Sequence, residues 1–346
     1  MAHPDEFALI RAWTEGRQNA AFLSSRGVVA GIGDDTAVVA SPGEDMEWLL
    51  TVDAMAEGIH FRPETMGDAD VGYKAMASCI SDIAAMGGQP LHALVSVCVP
   101  PSWTPARTQA LFDGLYACAD RYGVAVIGGD TTASRADLVV SVTVTGRVRA
   151  GKALMRSGAA PGQKVFLTGP IGMAAAGLYG LLHPEAPRPP ASLVRAHRRP
   201  EPHVRAGLLL SERGFGRALN DISDGLASEA WEIAEASGVG IVLRQDDLPV
   251  AGELAAYARR CGRSPLDWML YGGEDYALVG TVDAADEAEA RRAFREAGLP
   301  FFVVGETSAG PPGVWMETAQ GKRVAVAKRG YNHFRVGGGE GADAPR

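Results

Sequence analysis

The sequence has no apolar run approaching 18 residues, so it offers no transmembrane helix. It has few cysteines. Cys79, Cys98, Cys118 and Cys261 show no CxxC or Cys/His spacing, which argues against a zinc site or a redox pair. Three of them sit in apolar runs, where a buried free thiol is expected. The start, MAHPDEFALIRAW, lacks a basic segment followed by an apolar core, so no signal peptide is expected and the predicted location is the reducing cytoplasm. Positive charge is also scarce. Lys plus Arg number 33 against 41 Asp plus Glu, a net charge of −8. Such a chain lacks the basic face of a general nucleic-acid binder. Anionic substrates remain open, provided metal ions mediate the contact. There is no GxSxG elbow and no HExxH. The stretch GRVRAGKA fits GxxxxGK, but Ala153 stands where a P-loop needs Ser or Thr, and strand–turn–strand is the better reading. What is present is globular: 47% hydrophobic and 21% charged residues in 346, enough for about two domains with large cores.

The first half alternates strands and helices. Residues 5–15 read as a short amphipathic helix, and 26–40 as strand, Gly-rich turn, strand. Residues 48–53 form a buried strand ending on a carboxylate. Helical spacing runs over 67–86 and stops at Gly87-Gly88. Residues 91–98 suit a strand. A helix over 104–122 has Thr104 as N-cap and Gly123 as terminator. VAVIGGDTT reads as a strand entering a Gly-Gly-Asp turn, and LVVSVTVTG as a half-buried strand. A second unit starts near 148. KVFLTGPIGMAAAGLYGLL is strand, loop, helix, and 184–202, rich in Pro and Arg, reads as a long surface connection. A helix over 224–236, the strands GIVLR and DYALVGTV, a helix over 284–297 and the strand PFFVVG follow. The predicted division is residues 1–147, residues 148–338 and a disordered tail over 339–346. The pattern is α+β or α/β in two domains.

The aspartates carry the most information. Asp34 and Asp35 in GIGDD, Asp53 in LLTVD, Asp130 in VIGGD, and Asp221 and Asp224 in NDISDG lie at strand ends or beside glycines. A carboxylate at a strand end is held rigidly at the sheet edge, and glycine lets a phosphate or backbone approach. Hard cations such as Mg²⁺ take carboxylate oxygens together with substrate phosphates. Any one of these aspartates is compatible with ordinary turn chemistry. Asp82 is harder to explain as solvated surface, because Ile80, Ile83 and Ala84 flank it in an apolar helix. His60, Arg156, Glu274 and Tyr331 each admit a structural role as readily as a functional one.

Ten stretches together resemble the thiamine-monophosphate kinase family, part of the aminoimidazole-ribonucleotide-synthetase-like superfamily of ATP-dependent enzymes. They are DEFALIRAW, GIGDDTAVV, TVDAMAEGIHF, VGYKAMASCISDIAAMGGQP, VIGGDTTAS, LMRSGAAPGQKVFLTGPIG, AAGL, DISDGLASE, YGGEDYAL and GYNHF, running from residue 5 to residue 334. GGDTT and SDG recur across the superfamily. TVD with EGIHF, YKA with SDIAAMGG, and GGEDY are specific to the thiamine branch. The 184–202 connection is poorly matched.

The resemblance implies a two-domain fold. Its N-terminal β-sheet domain, backed by helices, pairs in a homodimer to form a barrel, and a C-terminal α/β domain closes over a nucleotide cleft. It implies that Asp35, Thr51, Asp53, Asp82, Asp130, Asp221 and Asp224 hold several Mg²⁺ ions. At position 52, where some relatives carry a second hydroxyl residue, Val52 could offer only a backbone carbonyl. It further implies that Gly129, Asp130, Arg156 and Ser223 contact ATP, that Asp53, Asp130 and Arg156 carry catalysis, and that His60, Glu274 and Tyr331 contact the thiamine ligand. The implied reaction is phosphorylation of thiamine monophosphate by ATP, with no membrane or nucleic-acid partner. The alternatives are another ATP-dependent synthetase of the superfamily, a nucleotide-binding sensor, and a metal-dependent phosphohydrolase.

Overall fold

The computed structural model describes residues 19–41 and 45–330. The helix expected over 5–15, Tyr331 and the expected tail lie outside the described residues. The chain runs α1 (Ala20–Ser25), β1 (Val28–Ala30), β2 (Ala37–Ala40), β3 (Met46–Ala56), α2 (Asp68–Ala85), β4 (Gln89–Val99), α3 (Pro105–Tyr122), β5 (Ala125–Ala133) and β6 (Val139–Arg149). Then follow β7 (Lys164–Leu167), α4 (Met173–Leu182), α5 (Ala191–Arg198), α6 (Val204–Arg213), β8 (Gly216–Asp221), α7 (Leu226–Ser237) and β9 (Gly240–Arg244). The remainder is α8 (Gly252–Cys261), α9 (Pro265–Tyr271), β10 (Leu278–Val282), α10 (Glu287–Glu296), β11 (Phe302–Ser308), β12 (Gly313–Glu317) and β13 (Arg323–Ala325).

Among the described residues the strands form two sheets. One has the order β1-β2-β3-β6-β4-β5, the other β13-β12-β9-β11-β7-β10-β8. Pairing is antiparallel except for β4 with β5 and β9 with β12. This is the mixed α and β architecture expected from the sequence. Alternation sets the faces of the first sheet. In β3, Leu49, Thr51 and Met55 are buried, while Leu50 and Val52 point out. In β4, Ala93, Val95 and Val97 are buried and Leu94 is exposed. The same alternation splits the second sheet, where Phe166, Leu219 and Leu278 join one core and Val165, Leu167 and Val279 the other.

Helix α2 lies between the sheets and packs on β3, β6, β8, α3 and α6. It is buried on almost every side, as a helix with apolar groups all round must be. Its partner α3 forms as the sequence predicts. Thr104 accepts the Arg107 N–H, Pro105 opens the first turn, and Gly123 takes φ 68° to end it. The two helices touch backbone to backbone. A Cβ on Gly72 would stand 1.8 Å from the Leu111 carbonyl oxygen, and one on Gly114 would stand 1.7 Å from that of Ala69. Gly114→Ala should therefore cost about 3 kcal/mol despite the better helix propensity of alanine, because backbone and not a flexible side chain must yield. Equilibrium unfolding in urea checks this; an unchanged or higher midpoint contradicts it.

Three expectations are corrected. VAVIGGDTT does not turn at its glycines: β5 continues through Gly128, Gly129 and Asp130 to Ala133. A Cβ on Gly129 would sit 1.8 Å from the Val95 carbonyl oxygen, so glycine there serves the close approach of β4. The 184–202 segment is not only surface connection, because α5 forms within it and buries Leu193 and His197. Gly146 to Ala153 gives a strand to Arg149 and a turn, and no strand follows; a 3₁₀ turn at Arg156–Gly158 comes next. Among the described residues no helix is long and apolar enough to cross a membrane.

Candidate active site

Asp35 follows β1 in a short loop, Asp82 lies near the C-terminal end of α2, and Asp221 ends β8. One oxygen from each comes within 4.8 Å of the others. Adjacent residues of α2 tie the sheets together. The Thr51 hydroxyl on β3 donates to Asp82 Oδ2, and the Ser81 hydroxyl donates to Asp221 Oδ2 at 2.5 Å. A carboxylate near a helix C-terminus is disfavoured by the helix dipole, so Asp82 is not there for helix stability.

Burial pushes the Asp35 carboxyl well above its ordinary range; Arg156 opposes that push, and Asp221, Asp34 and Glu232 add to it. Burial, with Asp53, Asp221 and Asp35, does the same to Asp82. Asp221 is raised to about 6, mainly by burial. Asp35 Oδ2 is buried and has no hydrogen-bond partner among the described residues. Three crowded carboxylates with an orphaned buried oxygen form a donor set that suits a hard divalent cation such as Mg²⁺.

Arg156 anchors the edge of this cluster. Its guanidinium pairs with Asp35 and reaches Glu232 at 3.2 Å, its Nε donates to Asn220 Oδ1 at 3.3 Å, and its backbone N–H donates to Asp34 at 3.1 Å. These carboxylates hold its pKa above the usual arginine value, although burial works the other way.

Beside the cluster lies a cavity of about 270 Å³. Five residues singled out from the sequence line it: Asp53, His60, Ser223, Asp224 and Glu274. Asp53 is half-buried on β3, which runs on to Ala56 rather than ending at this carboxylate as expected, and it lies within electrostatic reach of Asp82 and Asp221. The His60 ring accepts the Ala56 N–H at Nδ1, 3.0 Å. Ser223 and Asp224 precede α7, and the buried Glu229 carboxylate gathers the backbone N–H groups of both and the Ser223 hydroxyl at 2.7–3.3 Å. Gly273 to Tyr276 run alongside this segment. Glu274 N–H donates to Ser223 O at 2.7 Å, and Tyr276 N–H to Ile222 O at 2.9 Å. Glu274 and Tyr276 adopt φ 68° and 52°, a left-handed conformation that costs non-glycine residues and clusters at functional sites.

Sequence reasoning missed what holds Glu274. Its carboxylate pairs with Lys74 of α2 and with His197 Nδ1 of α5 at 2.9 Å. Burial alone would raise the Glu274 pKa, but Lys74 and His197 outweigh it and bring it to about 2. Burial lowers the Lys74 and His197 values. Asp275 next door accepts the Gly172 and Ala174 N–H groups at the start of α4. Lys74 could have been found by the argument used for Asp82, a charge in an apolar helix. His197, Glu229 and Glu232 left no such signal.

Asp130 and Gly129 are not at the cluster. Asp130 pairs with Ser96, which pairs with Ser141, and β6 and β4 separate β5 from β3. Three strand spacings put it roughly 14 Å from β3, on the face where Leu94 and Val52 are exposed. Tyr331 lies outside the described residues.

Two family models match the chain: the AIR synthase related protein N-terminal domain over residues 33–148 and the corresponding C-terminal domain over 160–316. The chain is 39% identical to thiamine-monophosphate kinase of Bacillus subtilis, covering 96% of this chain and 100% of that protein. It is 35% identical to that of Salmonella typhimurium, covering 95% and 98%. Among solved structures, AaThiL complexed with AMPPCP and TMP superposes with a TM-score of 0.80 at 30% identity, over 95% of this chain and 97% of that one. Hydrogenase maturation protein HypE in complex with ATP, at 19% identity and a TM-score of 0.68 over 91% and 96%, shares the fold. With similarity of this extent along nearly its whole length, the chain belongs to the thiamine-monophosphate kinase family of AIR synthase related proteins.

Proposed function

We propose that this chain transfers the γ-phosphoryl group of ATP to thiamine monophosphate in the cytoplasm, giving thiamine diphosphate and ADP. The observation that carries the reading is the junction of the Asp35–Asp82–Asp221 cluster with a cavity lined by an ionised Glu274. The cluster suits a metal-bound polyphosphate and the cavity suits a cationic organic acceptor. The relatives' shared name and the AMPPCP and TMP in the AaThiL complex support the same assignment.

The acceptor oxygen belongs to a phosphate monoester, which already carries about −1.5 to −2 charge at pH 7. It needs little deprotonation, so no general base is required. The obstacle is repulsion between two polyanions, about 4 kcal/mol per pair of unit charges 4 Å apart at an effective dielectric of 20. Mg²⁺ ions would supply neutralisation and in-line alignment of the phosphates. Asp35, Thr51, Asp53, Asp82, Asp221 and Asp224 are the proposed ligands, Arg156 and Ser223 the proposed ATP contacts, and His60, Glu274 and Tyr331 the proposed thiamine contacts. Arg156 leaves the nucleotide site rigid through its carboxylate and Asn220 partners. Lys74 and His197 keep Glu274 charged, so that it attracts the thiazolium or accepts from the aminopyrimidine. Transfer is direct, with no phosphoenzyme. The working division remains residues 1–147 and 148–338.

Asp130 and Gly129 enter this account through a homodimer. The open face of the first sheet exposes Leu50, Val52, Leu94 and Ile127, and we assign it to the contact with a second copy. Asp130 stands on that face. Ile127→Asp should convert dimer to monomer and lower turnover, as read by sedimentation and by ADP release. A fully active monomer would remove Asp130 from the site.

The function itself is tested by ADP release from ATP and Mg²⁺ with and without thiamine monophosphate. Release that depends on the acceptor is expected. Release without that dependence would favour the hydrolase or a sister synthetase, and no release a binding protein.

A further inference from the structure

Helix α5 has a second face. His197 points inward to Glu274, whereas Arg195, Arg198 and Arg199, three and four residues apart, line a separate cavity of about 1070 Å³. Arg188, from the loop before the helix, joins them. This cavity shares no lining residue with the one beside the aspartate cluster.

Its charge balance is unusual for a chain of net charge −8. Four guanidiniums face one carboxylate, Asp70, which leaves three positive charges unbalanced. Asp70 is engaged by Arg199 at 2.6 Å. Arg198 is oriented by its Nε bond to the Thr65 carbonyl, 2.7 Å, which leaves the rest of its fork toward the cavity side. Among the described residues, Arg188, Arg195 and Arg198 have no carboxylate partner. Interaction with the α5 dipole accounts for a cation in the last turn, at Arg195 or Arg198. It does not account for Arg188, which lies ahead of the helix.

The geometry points to a binding site for a small organic diphosphate. Guanidinium forks match phosphate oxygens in bidentate fashion. One phosphate monoester brings about −1.5 to −2 charge, too little to balance three cations, whereas a diphosphate comes close. Leu181, Pro189 and Val194 give the cavity an apolar wall for the organic part. The volume accommodates a molecule of nucleotide size.

Inorganic pyrophosphate titrated calorimetrically into the full chain in EDTA tests the site. Without divalent cations the aspartate cluster repels anions, so binding reports the arginine cavity and does not depend on the kinase reading. One saturable site per chain is expected, weakening as salt is raised. Arg188→Ala with Arg195→Ala should weaken it roughly ten-fold or more, since hydrogen bonds to charged groups are lost. Arg188→Lys with Arg195→Lys should recover part of the affinity, and Asp221→Asn should leave it unchanged. The alanine pair should keep the parent melting temperature and ADP release, which separates lost binding from lost fold. Absence of saturable binding, equal affinity in the alanine pair, or loss of binding in Asp221→Asn would overturn the assignment.

Discussion

Asp82→Asn should destroy turnover while raising the melting temperature of the metal-free protein. Asp82 shares its space with Asp35 and Asp221 and feels the charge of Asp53. The substitution keeps size and shape, and asparagine Oδ1 can still accept from the Thr51 hydroxyl. It removes one charge from a crowd whose members are already driven toward protonation. With two unit charges about 4 Å apart repelling by roughly 4 kcal/mol at an effective dielectric of 20, a net gain of about 1 kcal/mol survives generous screening. That corresponds to a rise of roughly 2 °C in a chain of this size. Phosphoryl transfer should fall by on the order of 10²–10³-fold, the usual effect of losing one preorganised electrostatic group. Stabilisation by added Mg²⁺ should shrink with it. The pair of measurements is calorimetric melting in EDTA and in Mg²⁺, beside ADP release. A variant that melts lower in EDTA, or keeps parent activity at saturating Mg²⁺, would remove Asp82 from the metal assignment.

Lys74→Met should cost about 3–5 kcal/mol of stability, and the loss should be largely restored by adding Glu274→Gln. Lys74 is 1% exposed and its ammonium pairs with Glu274, whose side chain is 28% exposed where it lines the cavity. Removing one partner of a buried pair strands the other charge, which is the costly change; removing both leaves a neutral contact. His197 would remain beside Glu274 at 2.9 Å; burial lowers its pKa and works against its charged form, so it replaces the ammonium only in part. The double variant separates stability from function. It should regain its urea midpoint yet bind thiamine monophosphate weakly, with a raised KM, because the ionised carboxylate facing the cavity is gone. A double variant no more stable than Lys74→Met would contradict the pairing. One with parent KM would contradict the role of Glu274.

Residues that speak through local pattern are legible in the sequence. Asp53 closes the apolar run WLLTVD, Asp82 interrupts an apolar helix, and Ser223, Asp224 and Glu274 sit beside glycines. The fold does bring these to one cavity or its adjoining cluster. Residues whose role depends on distant neighbours are silent. Lys74 and His197 are 123 positions apart and meet because α2 and α5 pack on each other. Glu229 and Glu232 read as ordinary acidic positions in α7, and only the closure of the loop at Ser223 and of Arg156 onto that helix gives them work. The 184–202 stretch misleads through its composition. Proline and arginine argue for loop, yet Leu193 and His197 bury one face of α5 and the arginines stay on the other. Asp130 misleads through its glycines, which allow tight strand packing as well as turns.

Direct transfer from ATP to thiamine monophosphate is tested by a single turnover with γ-labelled ATP, Mg²⁺ and thiamine monophosphate, quenched over time, with every labelled species identified by mass. Label should move from ATP into the terminal phosphate of thiamine diphosphate, mole for mole with ADP, with none on the protein at any time. Label that passes first through a kinetically competent phosphoprotein, or that ends in inorganic phosphate, would contradict it.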